Sequence, residues 1–483
     1  MPIDPDDSFS SNPYAAARAA FWDQVARKRQ THGSGSAAYH NRLRELYAFH
    51  VAPGQRVLEV GCGEGDLLAS VHPAYGLGID LSAGMVARAR QRHPELDFAC
   101  ADGLTFSSDQ PFDIVILSDL VDDVWDIQTL FECVLAVCHP RTRILINYYS
   151  RLWTPVLKLA ELLGLAEKTL EQNWVTDEDV FNLLNLSGFE VIKNSEEVLL
   201  PLPIPLLERF CNQFLVRLWP FNHLALTNFI IARPAPMLSD APEHLPSVTV
   251  VVPARNEAGN IENIMRGLPH MGSATELLFV EGNSSDDTYA EIERQMARHP
   301  EVTCRLFKQT GRGKGDAVRL GFQEAKGDIL MILDADLTVP PEYLPRFYAA
   351  LVQGKGELIN GVRLVYPMEK QAMRLANFLG NKFFSLAFSW LMGQPVKDTL
   401  CGTKVLSRAD YQKIVQNRAY FGDFDPFGDF DLLFGACKLN LKIVDVAVRY
   451  KERVYGATNI QRWKHGWLLL KMVLFASFRL KFQ

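Results

Sequence analysis

The sequence predicts an α/β protein of two successive domains, each built on a mostly parallel sheet. Three observations carry that expectation. Two apolar, β-rich runs, Arg56 to Val60 and Ser247 to Val252, each open an alternation of strand-like and helix-like segments. Between them, Arg233 to Pro246 holds four prolines and almost no periodicity, which reads as an extended, solvated linker. The chain, at 483 residues, is also longer than one hydrophobic core usually supports. The expected partition is a first domain over 1–233, a linker over 234–246 and a second domain over 247–483. The halves share no visible repeat, so they read as two fused enzymes.

Composition narrows the function classes. Apolar residues make up 48% and charged residues 22%, values ordinary for folded domains. Fifty basic residues against 56 acidic ones give a net charge of −6, which argues against a general nucleic-acid binder. The eight cysteines show no Cys-x-x-Cys and no paired histidine spacing, so they read as reduced thiols. The acidic start, Met-Pro-Ile-Asp-Pro-Asp-Asp, lacks the basic and apolar regions of a secretory signal, and a cytoplasmic location is expected. The last segment differs in charge: Arg449 to Gln483 holds eight Lys or Arg and one acid, Glu452.

In the first half, Val57-Leu58-Glu59-Val60-Gly61-Cys62-Gly63-Glu64-Gly65 reads as a buried strand running into a glycine-rich turn, then a helix from Asp66. Glycines there let a ligand approach the backbone. A dinucleotide site needs Gly-x-Gly-x-x-Gly, and here the third glycine comes one residue early, so nicotinamide is the second choice. The string Glu-x-Gly-x-Gly-x-Gly resembles motif I of the class I S-adenosylmethionine-dependent methyltransferases, over roughly Pro53 to Val191, which implies a Rossmann-like fold. By that resemblance Glu59, Gly61, Gly63 and Gly65 form the cofactor turn, Asp80 accepts the ribose hydroxyls, and Asp102-Gly103 lies near the adenine amine. Ser118, with Asp119, sits where methyl donor and acceptor meet. Asp119, Asp122, Asp123 and His139 are candidate bases for a proton-bearing acceptor. Each acid alone also reads as a turn or capping residue.

In the second half, Asp334-Ala335-Asp336 closes the apolar run Ile329 to Leu333. Strand alternation puts both carboxylates on one side, and hard oxygen ligands suit Mg or Mn on a diphosphate. The same pattern is also common in solvated turns. Before it come the strand end Pro253-Ala254-Arg255-Asn256-Glu257, the turn at Glu281, and Gly313-Lys314-Gly315 ahead of a helix at Asp316. This succession resembles the family 2 glycosyltransferases of the GT-A fold, over about Ser247 to Tyr455. The resemblance implies that Pro253, Arg255, Glu257, Glu281 and Lys314 line a nucleotide sugar, and that Asp334 and Asp336 hold ribose and metal. Glu281-Gly282 departs from the two aspartates many members carry there.

Within that family the likeness is to polyprenyl-phosphate synthases of the dolichol-phosphate mannose type. It rests on Gly361-Val362-Arg363, on Lys397 to Lys404 and on Tyr450 to Gly456. Arg363, Arg374 and Arg453 are the candidates for the acceptor phosphate, because a guanidinium fork pairs two phosphate oxygens. A phosphate monoester is largely dianionic at neutral pH and can attack without a base. A hydroxyl acceptor would need one, and Asp429 or Asp431 could serve, with a helix-terminal role the competing reading of Asp431. Trp467 to Phe482 carries Lys471, Arg479 and Lys481, too many charges for a span, and reads as an amphipathic helix on a membrane surface or packed on the sheet. The expected whole is a bifunctional transferase, peripheral on the inner face of the membrane. The alternative keeps sugar transfer to a hydroxyl and makes the first half a non-catalytic S-adenosylmethionine-binding module.

Overall fold

The computed structural model describes residues 13–29, 37–162, 170, 172–173, 175–204, 206–236, 244–363, 375–420, 430–451, 453, 455 and 462–483. Two compact units divide the chain, Met1–Ala235 with Phe482–Gln483, and Pro236–Lys481. Arg374, Asp429 and most of the proposed linker lie outside the described residues. Pro234 does not belong to a linker: it ends a strand paired with Phe189, and Arg233 beside it is buried and ion-paired to Glu190.

The first unit has seven strands: β1 Arg56–Val60, β2 Tyr75–Asp80, β3 Asp97–Cys100, β4 Phe112–Ser118, β5 Cys138–Tyr149, β6 Phe189–Glu197 and β7 Thr227–Pro234. Their order across the sheet is β3-β2-β1-β4-β5-β7-β6. Pairing is parallel from β3 to β5, while β7 runs antiparallel between β5 and β6. The central strands are apolar on both faces, with Leu58, Val115, Ile116, Ile144 and Ile146 fully buried, which is how a sheet covered by helices on both sides reads in sequence. With the strand order reversing beside β1, the crevice at the carboxyl ends of β1 and β4 is the ligand-binding edge of such a sheet. This is the Rossmann-like class I methyltransferase arrangement.

The second unit has β8 Val248–Ala254, β9 Thr275–Glu281, β10 Cys304–Lys308, β11 Ile329–Ile332, β12 Leu358–Val362, β13 Lys404–Ser407 and β14 Ile443–Ala447, in the order β10-β9-β8-β11-β13-β12-β14. Strand β13 is antiparallel to β11 and β12, so the segment before it, residues 397–403, returns to the edge where β11 ends. This is a GT-A architecture. The helix that follows the Gly313 turn begins at Lys314, two residues before the expected start at Asp316. Among the described residues, no helix is long and apolar enough to cross a membrane.

Candidate active sites

In the first unit the glycine turn is held by two carboxylates. Glu59, on β1 and 2% exposed, accepts from the Leu68 amide at 3.0 Å and so anchors the helix Asp66–Ser70. Burial pushes its carboxyl well above the usual range. Asp80, ending β2, accepts from the Gly63 amide at 2.9 Å and the Ser82 amide at 2.8 Å. Gly61, Gly63 and Gly65 all take positive φ, at 76°, 52° and 78°. A Cβ on Gly65 would stand 2.6 Å from the Phe98 ring, whereas one on Gly63 would meet nothing within 4 Å. Gly63 therefore fronts open space, as a turn that admits a ligand must. Asp102 accepts from the Leu104 amide, and Gly103 packs against Val60.

Ser118 closes β4, and Asp119 follows it in the left-handed region at φ 51°, a conformation an Asp tolerates better than most residues. The Tyr39 hydroxyl donates to Asp119 Oδ1 at 2.8 Å and Asn147 Nδ2 donates to the same oxygen at 2.6 Å. Tyr47 donates in turn to Asn147 Oδ1 at 2.8 Å, which fixes the amide's orientation. The Tyr39 and Tyr149 rings stack at 5.6 Å. Asp122 accepts from the Tyr149 amide, and Asp123 is paired to Arg18 at 3.1 Å and to the Trp22 indole at 3.2 Å. Burial pushes both carboxyls up to about 7, with the Asp122 charge adding to the rise at Asp119 and the Asp123 charge to the rise at Asp122. His139 is elsewhere: it starts β5, pairs Asp113, and lies at the opposite edge of the sheet. Tyr39, Tyr47, Asn147 and the helix Pro13–Arg29 were not foreseen from sequence. The available signal was Asn147-Tyr148-Tyr149 at the carboxyl end of a buried strand.

In the second unit the carboxyl edge gathers cation–carboxylate pairs. Lys314, at the start of its helix, meets Asp334 at 2.7 Å. Burial opposes ionisation of Asp334, but the Lys314 ammonium, with Lys404 and Arg363 behind it, holds its carboxyl below the usual range. Gly402 is wedged against this pair, and a Cβ there would overlap both the carboxylate and the ammonium. Asp336 Oδ1 accepts from the Thr338 amide and hydroxyl, and its Oδ2 from Arg453 at 2.6 Å. Arg453 also reaches Glu257 at 3.2 Å. Burial outweighs that cation and pushes the Glu257 carboxyl up to about 7.

Glu281, 3% exposed at the end of β9, accepts from the Ser284 amide, Arg255 is exposed, and Pro253 lies in β8. Arg363 forms a fork with Asp398, at 2.7 and 2.9 Å, and its backbone amide donates to the same carboxylate. Burial opposes both charges, yet each partner holds the other ionised. Arg363 is thus already partnered by a carboxylate. Asp431 sits in the first turn of the helix Phe430–Lys438 and accepts from Arg418 at 2.9 Å. Lys404, fully buried, donates to the Cys401 carbonyl at 2.6 Å. The pairing of Arg363 with Asp398 and the burial of Lys404 were not read from the 397–404 motif.

Comparison with known proteins falls along the same division. Residues 249–415 match the family described as Glycosyl transferase family 2, and residues 57–141 match the family described as Methyltransferase domain. A dolichol-phosphate mannosyltransferase of Saccharomyces cerevisiae is 38% identical over 109 residues, 21% of this chain and 40% of that protein. An undecaprenyl-phosphate 4-deoxy-4-formamido-L-arabinose transferase of Pectobacterium carotovorum subsp. carotovorum is 33% identical over 221 residues, 45% of this chain and 63% of that protein. The chain thus spans less than two thirds of the length of these relatives. Among solved structures, glucosyl-3-phosphoglycerate synthase from Mycobacterium tuberculosis, in complex with Mn2+, UDP and glucosyl-3-phosphoglycerate, aligns with a TM-score of 0.37 at 20% identity, over 49% of this chain and 80% of that one. Magnesium protoporphyrin IX methyltransferase from Synechocystis PCC 6803, with bound SAH, aligns with a TM-score of 0.34 at 16% identity, over 46% and 99%. The chain joins a methyltransferase domain in its first half to a family 2 glycosyltransferase domain in its second.

Proposed function

We propose that the chain is a bifunctional enzyme that transfers a sugar from a nucleotide sugar to polyprenyl phosphate and a methyl group from S-adenosylmethionine to a separate acceptor. The observation that carries the first activity is the pair of ion pairs, Lys314–Asp334 and Arg453–Asp336, set side by side beyond β11. Two carboxylates fit a hard divalent cation that takes its other ligands from diphosphate and water, as Mg usually does. Among the described residues no group of three or more His, Cys, Asp or Glu gathers for a metal; a cation held by Asp334 and Asp336 would take further oxygens from substrate and water. Mg or Mn, when bound by Asp334 and Asp336, neutralises charge on the leaving diphosphate. Lys314 holds Asp334 ionised and faces the nucleotide with it, while Pro253, Arg255, Glu257 and Glu281 line the strand ends around it. Arg453, shared between Glu257 and Asp336, is the described cation placed to take an acceptor phosphate. Arg363, locked by Asp398, contributes field more than contact.

The printed names of the relatives favour a lipid phosphate as acceptor. A dianionic phosphate attacks the anomeric carbon with inversion and needs no proton acceptor. Asp431, the base a hydroxyl acceptor would call on, is instead held by Arg418. The helices Leu375–Met392 and Arg462–Ala476 expose Phe383, Leu386, Trp390 and Trp467, with Lys471 and Lys481 over the two tryptophan rings, which suits the inner face of a membrane.

For the first half, the open Gly63 turn with Asp80 binds the cofactor, and Asp119 receives the proton of a hydroxyl or amine acceptor. S-adenosylmethionine supplies an electrophilic methyl group; the chain supplies alignment and the base. The test of the whole is a screen of nucleotide sugars with polyprenyl phosphate and Mg or Mn, comparing wild type with Asp336→Ala, alongside calorimetry with S-adenosylmethionine. Equal transfer by both proteins would refute the metal site.

A further inference from the structure

Arg453 holds two carboxylates that the sugar-transfer reading assigns to other partners. Its guanidinium donates through one nitrogen to Glu257 Oε1 at 3.2 Å and through the other to Asp336 Oδ2 at 2.6 Å, a fork that bridges the loop after β8 and the turn beyond β11. The remaining oxygens are engaged too. Asp336 Oδ1 accepts from the Thr338 amide at 3.1 Å and hydroxyl at 2.8 Å, and Glu257 Oε2 accepts from the buried Asn260 side chain at 2.7 Å. Both oxygens of the proposed metal ligand Asp336 therefore have donors, and one of those donors is a cation.

Residues on either side place this fork. Before it, the Lys451 amide donates to the Thr338 carbonyl at 2.9 Å. After it, the Tyr455 ring lies so close to Gly259 that a Cβ there would stand 2.4 Å from it, and the Tyr455 hydroxyl donates to Asp286 Oδ2 at 3.4 Å. Neither anchor uses the side chain of Asp336 or Glu257, so the guanidinium can release the acids while Lys451 and Tyr455 keep their places. A divalent cation at Asp336 would compete with it directly, because both seek the same carboxylate oxygen and repel each other.

We propose that Arg453 is an internal counter-cation that yields Asp336 to the metal and, so released, takes the acceptor phosphate, which couples the metal and acceptor sites. The inference rests on the sugar-transfer reading and adds to it how a doubly engaged arginine becomes available. While Arg453 bridges Glu257 and Asp336, their charges match its own and a phosphate gains little from it. Once it yields Asp336, that acid has another partner and the planar fork is open to two phosphate oxygens. Linkage makes the effect mutual: the factor by which metal tightens phosphate binding is the factor by which phosphate tightens metal binding.

The test is Mn2+ binding to the full chain without nucleotide, followed by electron paramagnetic resonance. Arg453→Ala is expected to bind Mn2+ about tenfold tighter than wild type, the scale of one charge-assisted hydrogen bond that no longer competes for Asp336. Arg453→Lys, which keeps the charge but lacks the planar fork, is expected to fall in between, and it decides the matter should the alanine variant fail to fold. Farnesyl phosphate, followed by calorimetry, is expected to bind wild type about tenfold tighter with saturating Mn2+ than without it, and to tighten Mn2+ binding by the same factor. Both effects are expected to vanish in Arg453→Ala. Mn2+ affinity no higher than wild type in the two Arg453 variants, or coupling that survives in Arg453→Ala, would overturn the proposal. Mn2+ binding undiminished by Asp336→Ala would instead refute the metal-site reading beneath it.

Discussion

Replacing Asp119 by Asn tests the electrostatics of the methyltransferase edge. Both donors to this carboxylate, Tyr39 and Asn147, address Oδ1, so an Asn keeps that acceptor and puts its NH2 in place of Oδ2. The left-handed φ of 51° also suits Asn. Only the charge changes. The folded carboxyl titrates at about 7 against an ordinary value of 3.8, with burial the main cause. Between about pH 4 and pH 7 the folded state therefore binds more protons than the unfolded one, and stability falls as pH rises through that window. About three pH units at 1.36 kcal/mol each give a penalty of up to ~4 kcal/mol above pH 7, absent below pH 4. The neutral variant escapes it. For a unit of this size each kcal/mol is worth about 2–4 °C. Thermal melts should place the first unit's transition, assigned by its shift with S-adenosylhomocysteine, up to about 8–16 °C higher in Asp119→Asn at pH 8 and unchanged at pH 4. An equal or lower midpoint at pH 8, or the same gain at both pH values, would refute the reasoning. On the proposed mechanism, the stabilised variant transfers no methyl group.

Three further outcomes follow from the same geometry. Gly402→Ala should lower kcat/KM for sugar transfer by about 100-fold, because the new methyl displaces the Lys314–Asp334 pair and misplacement on the 1 Å scale costs that much; steady-state kinetics at an unchanged melting midpoint is the check. Asp398→Asn leaves the buried Arg363 charge uncompensated and should cost about 3–5 kcal/mol of second-unit stability, read by denaturant unfolding; a loss below about 1 kcal/mol would mean Arg363 finds another partner. Chelation with EDTA should abolish sugar transfer and leave S-adenosylmethionine binding intact, with Mg or Mn restoring the former; undiminished transfer would show that Asp334 and Asp336 serve without a metal.

What the sequence made legible was local. The glycine turn announces itself because three positive φ angles within five residues demand glycine, and Asp334-Ala335-Asp336 because it directly follows an apolar strand; that strand ends at Ile332, so the acids lie in the loop and turn beyond it and strand alternation does not set how they face. The fold class was readable for the same reason: fully buried parallel strands are short apolar runs. What stayed hidden depends on chain segments far apart. Tyr39 meets Asp119 across 80 positions, and Arg453 meets Glu257 across 196. Neither pairing leaves a periodic trace. Arg363 looked like a phosphate ligand because nothing local says that Asp398, 35 residues on, takes its fork. Pro234 looked like a linker because a proline with no amide to donate is usually outside a sheet, yet it closes the strand that crosses between β5 and β6.

The two halves place carboxylates at the same position in a parallel sheet and put them in opposite electrostatic states. Asp119 and Asp122 have hydroxyl, amide and backbone partners, and the cation nearby, Arg18, is spent on Asp123, so burial wins and the carboxyls approach neutrality near pH 7. Asp334 is just as enclosed, but Lys314, Lys404 and Arg363 reverse the balance and keep it ionised. The difference matches two tasks. A carboxylate that is to collect a proton in the transition state works best when its own affinity for protons lies near ambient pH. One that is to hold a metal and a diphosphate must stay charged, and ringing it with cations does so while leaving a site whose cations also favour phosphate. On the proposed reading, burial is the tuning device in the methyltransferase half and ion pairing in the glycosyltransferase half. Exchanging the devices, for example by Asn147→Lys beside Asp119, should therefore lower that carboxyl's proton affinity and suppress methyl transfer at neutral pH while leaving the cofactor turn at Gly63 and Asp80 able to bind.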